Sequence, residues 1–137
     1  IRIIDVFDAP PAGSGPRRIA VIEDDENLAL LLRYNLEAAG YAVETLTSGP
    51  AADTRLATHA LDLVILDWGL PGLSGIEVLR KLRSRGGGTY VPVIMLTARG
   101  ERESRLRALA TGADVFMSKP FSISQLISQV ERLLRVE

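Results

Sequence analysis

Apolar residues gather along this chain in five short runs, and after each run they recur at three- and four-residue spacing. The runs are Arg18 to Ile22, Tyr41 to Leu46, Leu63 to Leu66, Val91 to Leu96 and Asp114 to Ser118. Leu63-Val64-Ile65-Leu66 has no polar alternation at all, which suits a central strand of a parallel sheet covered on both faces. Tyr41 to Leu46 contains Glu44 and Thr45, is more polar, and so belongs nearer an edge. Between the runs the periodicity is helical. Leu28, Leu31, Leu32 and Leu36 define a first helix closed by Gly40, and Ser48 with Pro50 begins a second. Ser74 caps a third carrying Ile76, Leu79 and Leu82, which ends in basic residues and Gly86-Gly87-Gly88. A charged fourth helix runs from about Glu101 to Ala110. Ser122 and Gln125 form a capping-box pattern ahead of Leu126, Ile127, Val130, Leu133 and Leu134 on one face of the last helix.

Strand followed by helix, repeated five times, predicts an α/β domain: a doubly wound parallel sheet with right-handed crossovers and helices on both faces. Its simplest form is the flavodoxin-like five-stranded sheet of order 2-1-3-4-5. Ahead of it, Ala9-Pro10-Pro11-Ala12-Gly13-Ser14-Gly15-Pro16 has linker composition, so residues 1–16 read as an N-terminal tail and 17–137 as the folded domain. Ile1 to Phe7 is either flanking tail or a strand that pairs with a sheet edge. The 137 residues, 47% hydrophobic and 24% charged, suffice for one domain with a core. A net charge of -1 excludes a global basic field directed at nucleic acid or membrane. There is no cysteine, no apolar run of membrane-spanning length and no signal-peptide layout, and a cytoplasmic location is expected.

Candidate chemistry gathers where the strands end. Ligands in open α/β sheets bind outside the carboxyl ends of the strands, where strand order reverses. The first run ends in Glu23-Asp24-Asp25 and the third in Asp67, while Thr97 and Lys119-Pro120 follow the fourth and fifth, so these side chains are expected on one rim. Carboxylates about 4 Å apart repel by about 4 kcal/mol per pair at an effective dielectric near 20, against roughly 0.3 to 1 kcal/mol from a helix N-terminus. The cluster therefore needs a cation or one protonated acid. Its hard oxygen donors favour Mg2+ with sites left for water or phosphate, and Lys119 adds a second positive charge. Such a set suits phosphoryl transfer onto a carboxylate, with Asp67 the nucleophile. Taken singly, Asp24 and Asp25 could be helix caps, Asp67 a turn residue and Lys119 solvated; together, at the ends of the right strands, they favour a site.

The motifs Ile22-Glu23-Asp24-Asp25, Leu66-Asp67-Trp68-Gly69-Leu70-Pro71, Met95-Leu96-Thr97-Ala98-Arg99, Thr111-Gly112-Ala113-Asp114 and Lys119-Pro120-Phe121 resemble those of the receiver domains of two-component response regulators, most of all the OmpR/PhoB branch of this CheY-like superfamily. The resemblance covers Arg17 to Glu137. It implies a phosphorylation-activated switch, not an enzyme with a separate substrate. Asp67 would accept the phosphoryl group from a histidine kinase or phosphotransfer protein. Asp24, Asp67 and the backbone carbonyl of Gly69 would bind Mg2+, with Glu23 holding a metal-bound water. Lys119 would contact the phosphoryl group, Thr97 would swing to it, and Phe116 would turn inward. The bond before Pro120 would be cis. Control of transcription through an effector domain beyond Glu137 is the expected output; a stand-alone receiver or a hybrid-kinase module is the alternative.

That branch commonly pairs activated receivers through charges on the fourth helix, fifth strand and fifth helix. Arg105 fits, but Val115, Gln125 and Gln129 stand where Asp, Glu and Arg are usual, so an atypical or weak homodimer is expected. His59 reads as a surface residue, Trp68 as bordering the site, and Arg99, Arg102, Arg105 and Arg107 as a solvated or partner-binding face without a groove-entering motif. A phosphatase of the haloacid dehalogenase type would place a second Asp where Gly69 stands. A nucleotide or flavin binder would need a phosphate-cradling loop in place of Glu23-Asp24-Asp25.

Overall fold

The computed structural model describes residues 15–58, 60–85, 90–98 and 102–135. In chain order these form β1 (Arg18–Ile22), α1 (Glu26–Ala38), β2 (Ala42–Leu46), α2 (Gly49–Leu56), β3 (Leu63–Asp67), α3 (Gly75–Arg85), β4 (Val93–Thr97), α4 (Arg102–Thr111), β5 (Val115–Ser118) and α5 (Ile123–Leu134). All strand pairs are parallel and the sheet order is β2-β1-β3-β4-β5, as the alternating pattern predicts.

β3 and β4 are buried along their whole length, which accounts for their unbroken apolar sequence. Successive side chains still divide between two cores. Ala20, Ile22, Val64, Leu66, Val93 and Met95 pack with Ala52, Leu56, Ile76, Leu79 and Ala108 of α2, α3 and α4. Ile19, Val21, Leu63, Ile65, Ile94 and Leu96 pack with Leu32 and Leu36 of α1 and Leu126 and Val130 of α5.

Several boundaries differ from the sequence reading. Leu31 is 48% exposed and lies beside exposed Leu30 and Tyr34, because Ala29, Leu32 and Leu36 already supply the buried stripe of α1. Strands β2, β4 and β5 start after Tyr41, Val91 and Asp114. Of the proposed capping box, the Ser122 hydroxyl does accept a bond from the Gln125 amide, at 3.3 Å. Gly40 has φ +102° after α1, a left-handed conformation that a side chain would resist. The readings placed on Ile1 to Phe7, the linker up to Ser14, His59, the triple glycine, Arg99 and Glu101 lie outside the described residues.

The amino edge of the sheet is held by Arg83. Its guanidinium donates to the Gly112 carbonyl at 3.0 Å, the Val91 carbonyl at 2.7 Å and the Asp114 carboxylate at 3.1 Å. It also lies 4.2 Å from the centre of the Tyr90 ring. Asp114 accepts further bonds from the Tyr90 hydroxyl at 2.9 Å and the Val93 amide at 2.8 Å. Replacing Arg83 by Met leaves these acceptors without their charged donor. The expected loss is about 2 kcal/mol, read as a lower urea midpoint at unchanged m-value.

Candidate functional site

At the opposite, carboxyl edge, strand register does the assembling. Ile22 is level with Leu66, so Glu23 and Asp67 emerge side by side from neighbouring strands, and Asp67 is level with Leu96, one residue before Thr97. The Glu23 amide donates to the Leu46 carbonyl at 2.9 Å, which extends pairing past the end of β1. Lys119, after β5, donates its amide to the Thr97 carbonyl at 2.7 Å, and the Lys119–Pro120 bond is cis.

The two consecutive aspartates have separate tasks. Asp25 is the N-cap of α1, accepting bonds from the amides of Asn27 at 3.0 Å and Leu28 at 3.2 Å. Asp24 is exposed and joins Glu23 and Asp67 in a set of carboxylate oxygens all within 4.8 Å of one another. Glu23 is 1% exposed and Asp67 5%. The Lys119 ammonium lies 2.7 Å from Glu23 Oε1 and 3.0 Å from Asp67 Oδ1. The other Glu23 oxygen accepts the Asp25 amide at 3.1 Å.

One lysine among three carboxylates leaves the cluster net negative when all are ionised. Burial raises the Glu23 carboxyl above its ordinary value, outweighing the bonds from Lys119 and Asp25 that favour the anion. Burial works against the charge of Lys119, but its bonds to Glu23 and Asp67 outweigh that and raise the ammonium. The donor set fits a small hard cation. Ligands about 2.1 Å from Mg2+ stand up to about 4.2 Å apart, so oxygens within 4.8 Å need only a slight contraction. Nothing softer than oxygen is offered.

Thr97 is buried at the end of β4, and Phe116, level with Met95 on β5, is half-buried. Trp68 is half-buried beside the cluster, its amide donating to the Leu96 carbonyl at 2.8 Å. Its ring lies 5.8 Å from the Arg107 guanidinium on α4. Gly69 is exposed in the loop after β3. Two residues that the sequence pattern did not single out set this loop. A Cβ on Gly75 would lie 2.1 Å from the Asp67 carbonyl oxygen, and one on Gly49 would lie 1.9 Å from that of Leu73. Their amides donate to the Trp68 carbonyl at 2.7 Å and the Pro71 carbonyl at 3.1 Å. Only the folded distances reveal this need for glycine.

Fold and site together define an acidic, lysine-bridged centre at the switch point of a parallel α/β sheet. The model of the response regulator receiver domain matches residues 19–131, and the chain belongs to this family of two-component signalling switches. Its relatives include the phosphate regulon transcriptional regulatory protein PhoB of Rhizobium meliloti, 54% identical over 118 residues that cover 86% of this chain and 52% of that protein. The alkaline phosphatase synthesis transcriptional regulatory protein PhoP of Bacillus subtilis is 40% identical over 87% of this chain and 49% of its own. The chain thus spans about half the length of these relatives. Among solved structures, the Francisella response regulator 1452 receiver domain superposes with a TM-score of 0.80 at 32% identity, covering 85% of this chain and 95% of that one. The BeF3-activated DrrB receiver domain does so with 0.77 at 32%, covering 87% and 97%. No described helix is long and apolar enough to cross a membrane.

Proposed function

We propose that the chain is a PhoB-like phosphorylation switch in which Asp67 accepts a phosphoryl group from the phosphohistidine of a kinase or phosphotransfer protein. A carboxylate oxygen of Asp67 attacks phosphorus, the donor P–N bond breaks, and an acyl phosphate forms. The observation that carries this reading is Lys119 seated between Glu23 and Asp67 with Asp24 alongside. Asp24, Asp67 and the Gly69 carbonyl would hold Mg2+, with Glu23 orienting a bound water; the ion would neutralise charge on the transferring oxygens. Lys119 holds the phosphoryl group in place, exchanging a carboxylate for a phosphoryl oxygen. Thr97 turns to the new group and Phe116 moves inward, so the modification favours one of two arrangements of the β4–α4 and β5 region. Residues 17–137 form this switch and 1–16 its leading tail. Transcription control follows from the likeness to PhoB and PhoP, through an effector domain outside this chain.

Intact-protein mass spectrometry after incubation with a small phosphodonor and Mg2+ tests it. A single base-labile phosphoryl adduct mapping to Asp67 is expected, and none with excess chelator. No adduct under any condition, despite Mg2+ binding, would sink the reading.

Metal response should also depend on pH. Because burial raises Glu23 in the folded state, its contribution to stability is complete below the unfolded carboxylate range, about 4.3, and is lost as pH rises through the folded value. A cation reverses that loss, and protons compete with it. Fixed millimolar Mg2+ should therefore raise the melting temperature more at pH 7.5 than at pH 5, and equal shifts would contradict the assignment.

A further inference from the structure

The outward face of α1 is apolar where a surface helix is ordinarily polar, and the acid cluster makes no use of it. We propose that Ile1 to Phe7 of the same chain dock on this face, over Leu30, Leu31 and Tyr34, as an intramolecular cover.

Leu30 is 66% exposed, Leu31 48% and Tyr34 72%. At 3.6 residues per turn these three project opposite Ala29, Leu32 and Leu36, the stripe that α1 buries against the sheet, so the helix and sheet layers leave them outward. Scattered exposed leucines need no cover, but large apolar residues three and four apart on one helix face form a continuous patch. The charged pair beside it is already satisfied. Arg33 and Glu37 bond each other at 3.2 Å, so the face lacks apolar contact and not a counter-charge.

The sequence supplies an apolar segment at the right end of the helix. α1 runs back toward the amino edge of the sheet, and the chain enters β1 beside its end: the Arg17 carbonyl accepts from the Ala42 amide at 2.9 Å, shortly after Ala38. Tyr41 packs against the core that α1 and α5 share. Burial and the Glu131 carboxylate raise its hydroxyl, and Arg17 stands close enough for its charge to oppose them. The tail therefore leaves on the α1 side. From Ala38 back to Leu30 is about 12 Å of helix, whereas residues 8–16 reach up to about 30 Å when extended. Ile1, Ile3, Ile4, Val6 and Phe7 can then lie along the patch, with Phe7 nearest Tyr34 and Ile1 nearest Leu30. Leu106 and Leu109, also exposed, belong to a helix packed on the opposite side of the sheet. A segment tethered at this range has an effective concentration on the order of millimolar, which favours it over a second copy of the chain.

The chain has no cysteine, so disulfide capture reports the contact cleanly. It needs neither Mg2+ nor a phosphodonor and stands apart from the phosphorylation experiment. Asp8→Cys is combined with Ala38→Cys at the end of the patch, or with Ala57→Cys, exposed at the end of α2 on the opposite side of the sheet. Every apolar contact is left in place. In a glutathione buffer the first pair should close about ten-fold faster than the second, and adding Ile4→Asp/Phe7→Asp should bring the two rates together. Amide NMR spectra of the full chain carrying only Ile4→Asp/Phe7→Asp verify its fold and should show shifts across Asn27 to Ala38, with Leu106 and Leu109 unmoved. Equal capture rates, or an unchanged α1, overturn the proposal. So do shifts centred on Val43 and Thr45, which would place the segment on the β2 edge, and capture between chains as a disulfide dimer, which would make a second copy the occupant.

Discussion

Asp67→Asn removes the phosphoryl adduct altogether and most of the Mg2+ response, yet leaves the metal-free chain at least as stable as the wild type. With charges 4.8 Å apart and an effective dielectric near 20, Asp67 is repelled by Glu23 and by Asp24 by about 3.5 kcal/mol each, or more where they approach closer. Its attraction to Lys119 at 3.0 Å is worth about 5.5 kcal/mol on the same scale. The two effects nearly cancel with repulsion ahead, and neutralising a nearly buried carboxylate also removes a desolvation cost. Urea unfolding without metal should show a gain on the order of 1 kcal/mol, since Lys119 keeps Glu23 as a partner. Millimolar Mg2+ should then add little, because the set has lost a charged donor. A variant that unfolds more readily in chelator would mean that the Asp67–Lys119 pair outweighs the crowding of acids.

Gly75→Ala has the larger effect on the fold. Its added Cβ would lie 2.1 Å from the Asp67 carbonyl oxygen and 2.8 Å from Trp68 Cα, both backbone atoms. Neither can yield easily: Trp68 is tied through its amide to Leu96, and its carbonyl takes the Gly75 amide itself. The expected cost is about 2 to 4 kcal/mol, with weaker Mg2+ binding because Asp67 and Gly69 move with the loop. Gly69→Ala is the control. Nothing stands within 4 Å of its Cβ position, so both stability and Mg2+ affinity should stay near wild type. Equal behaviour of the two variants in urea and Mg2+ titrations would refute the close-approach account.

The sheet was legible because burial on both faces writes itself as unbroken apolar runs: Leu63 to Leu66 and Val93 to Leu96 admit no other comfortable reading. The acid cluster was legible for a related reason, since strand ends in a parallel sheet share one rim and polar residues directly after such runs must converge there. Periodicity alone left Asp24 and Asp25 as equivalent neighbours; the resemblance singled out Asp24 for the metal, and the folded geometry gives Asp25 to the helix as its N-cap and Asp24 to the cluster. Leu31 misled because a leucine at helical spacing on the border of a stripe carries the same signal as one inside it. Arg83, Gly49 and Gly75 act through contacts with distant backbone, to Gly112, Leu73 and Asp67 respectively, that no local pattern encodes. The resemblance to receiver domains added residue roles that periodicity alone could not supply.

Trp68 is the chain's one tryptophan, adjacent in sequence to Asp67 and within 5.8 Å of a guanidinium carried by α4. Indole emission responds to nearby charge and to solvent access, and this ring borders both the acid cluster and α4. The chain therefore has a built-in optical gauge. A titration of Mg2+ or of a phosphodonor is expected to be readable in one cuvette without any label, as a change in emission intensity or wavelength.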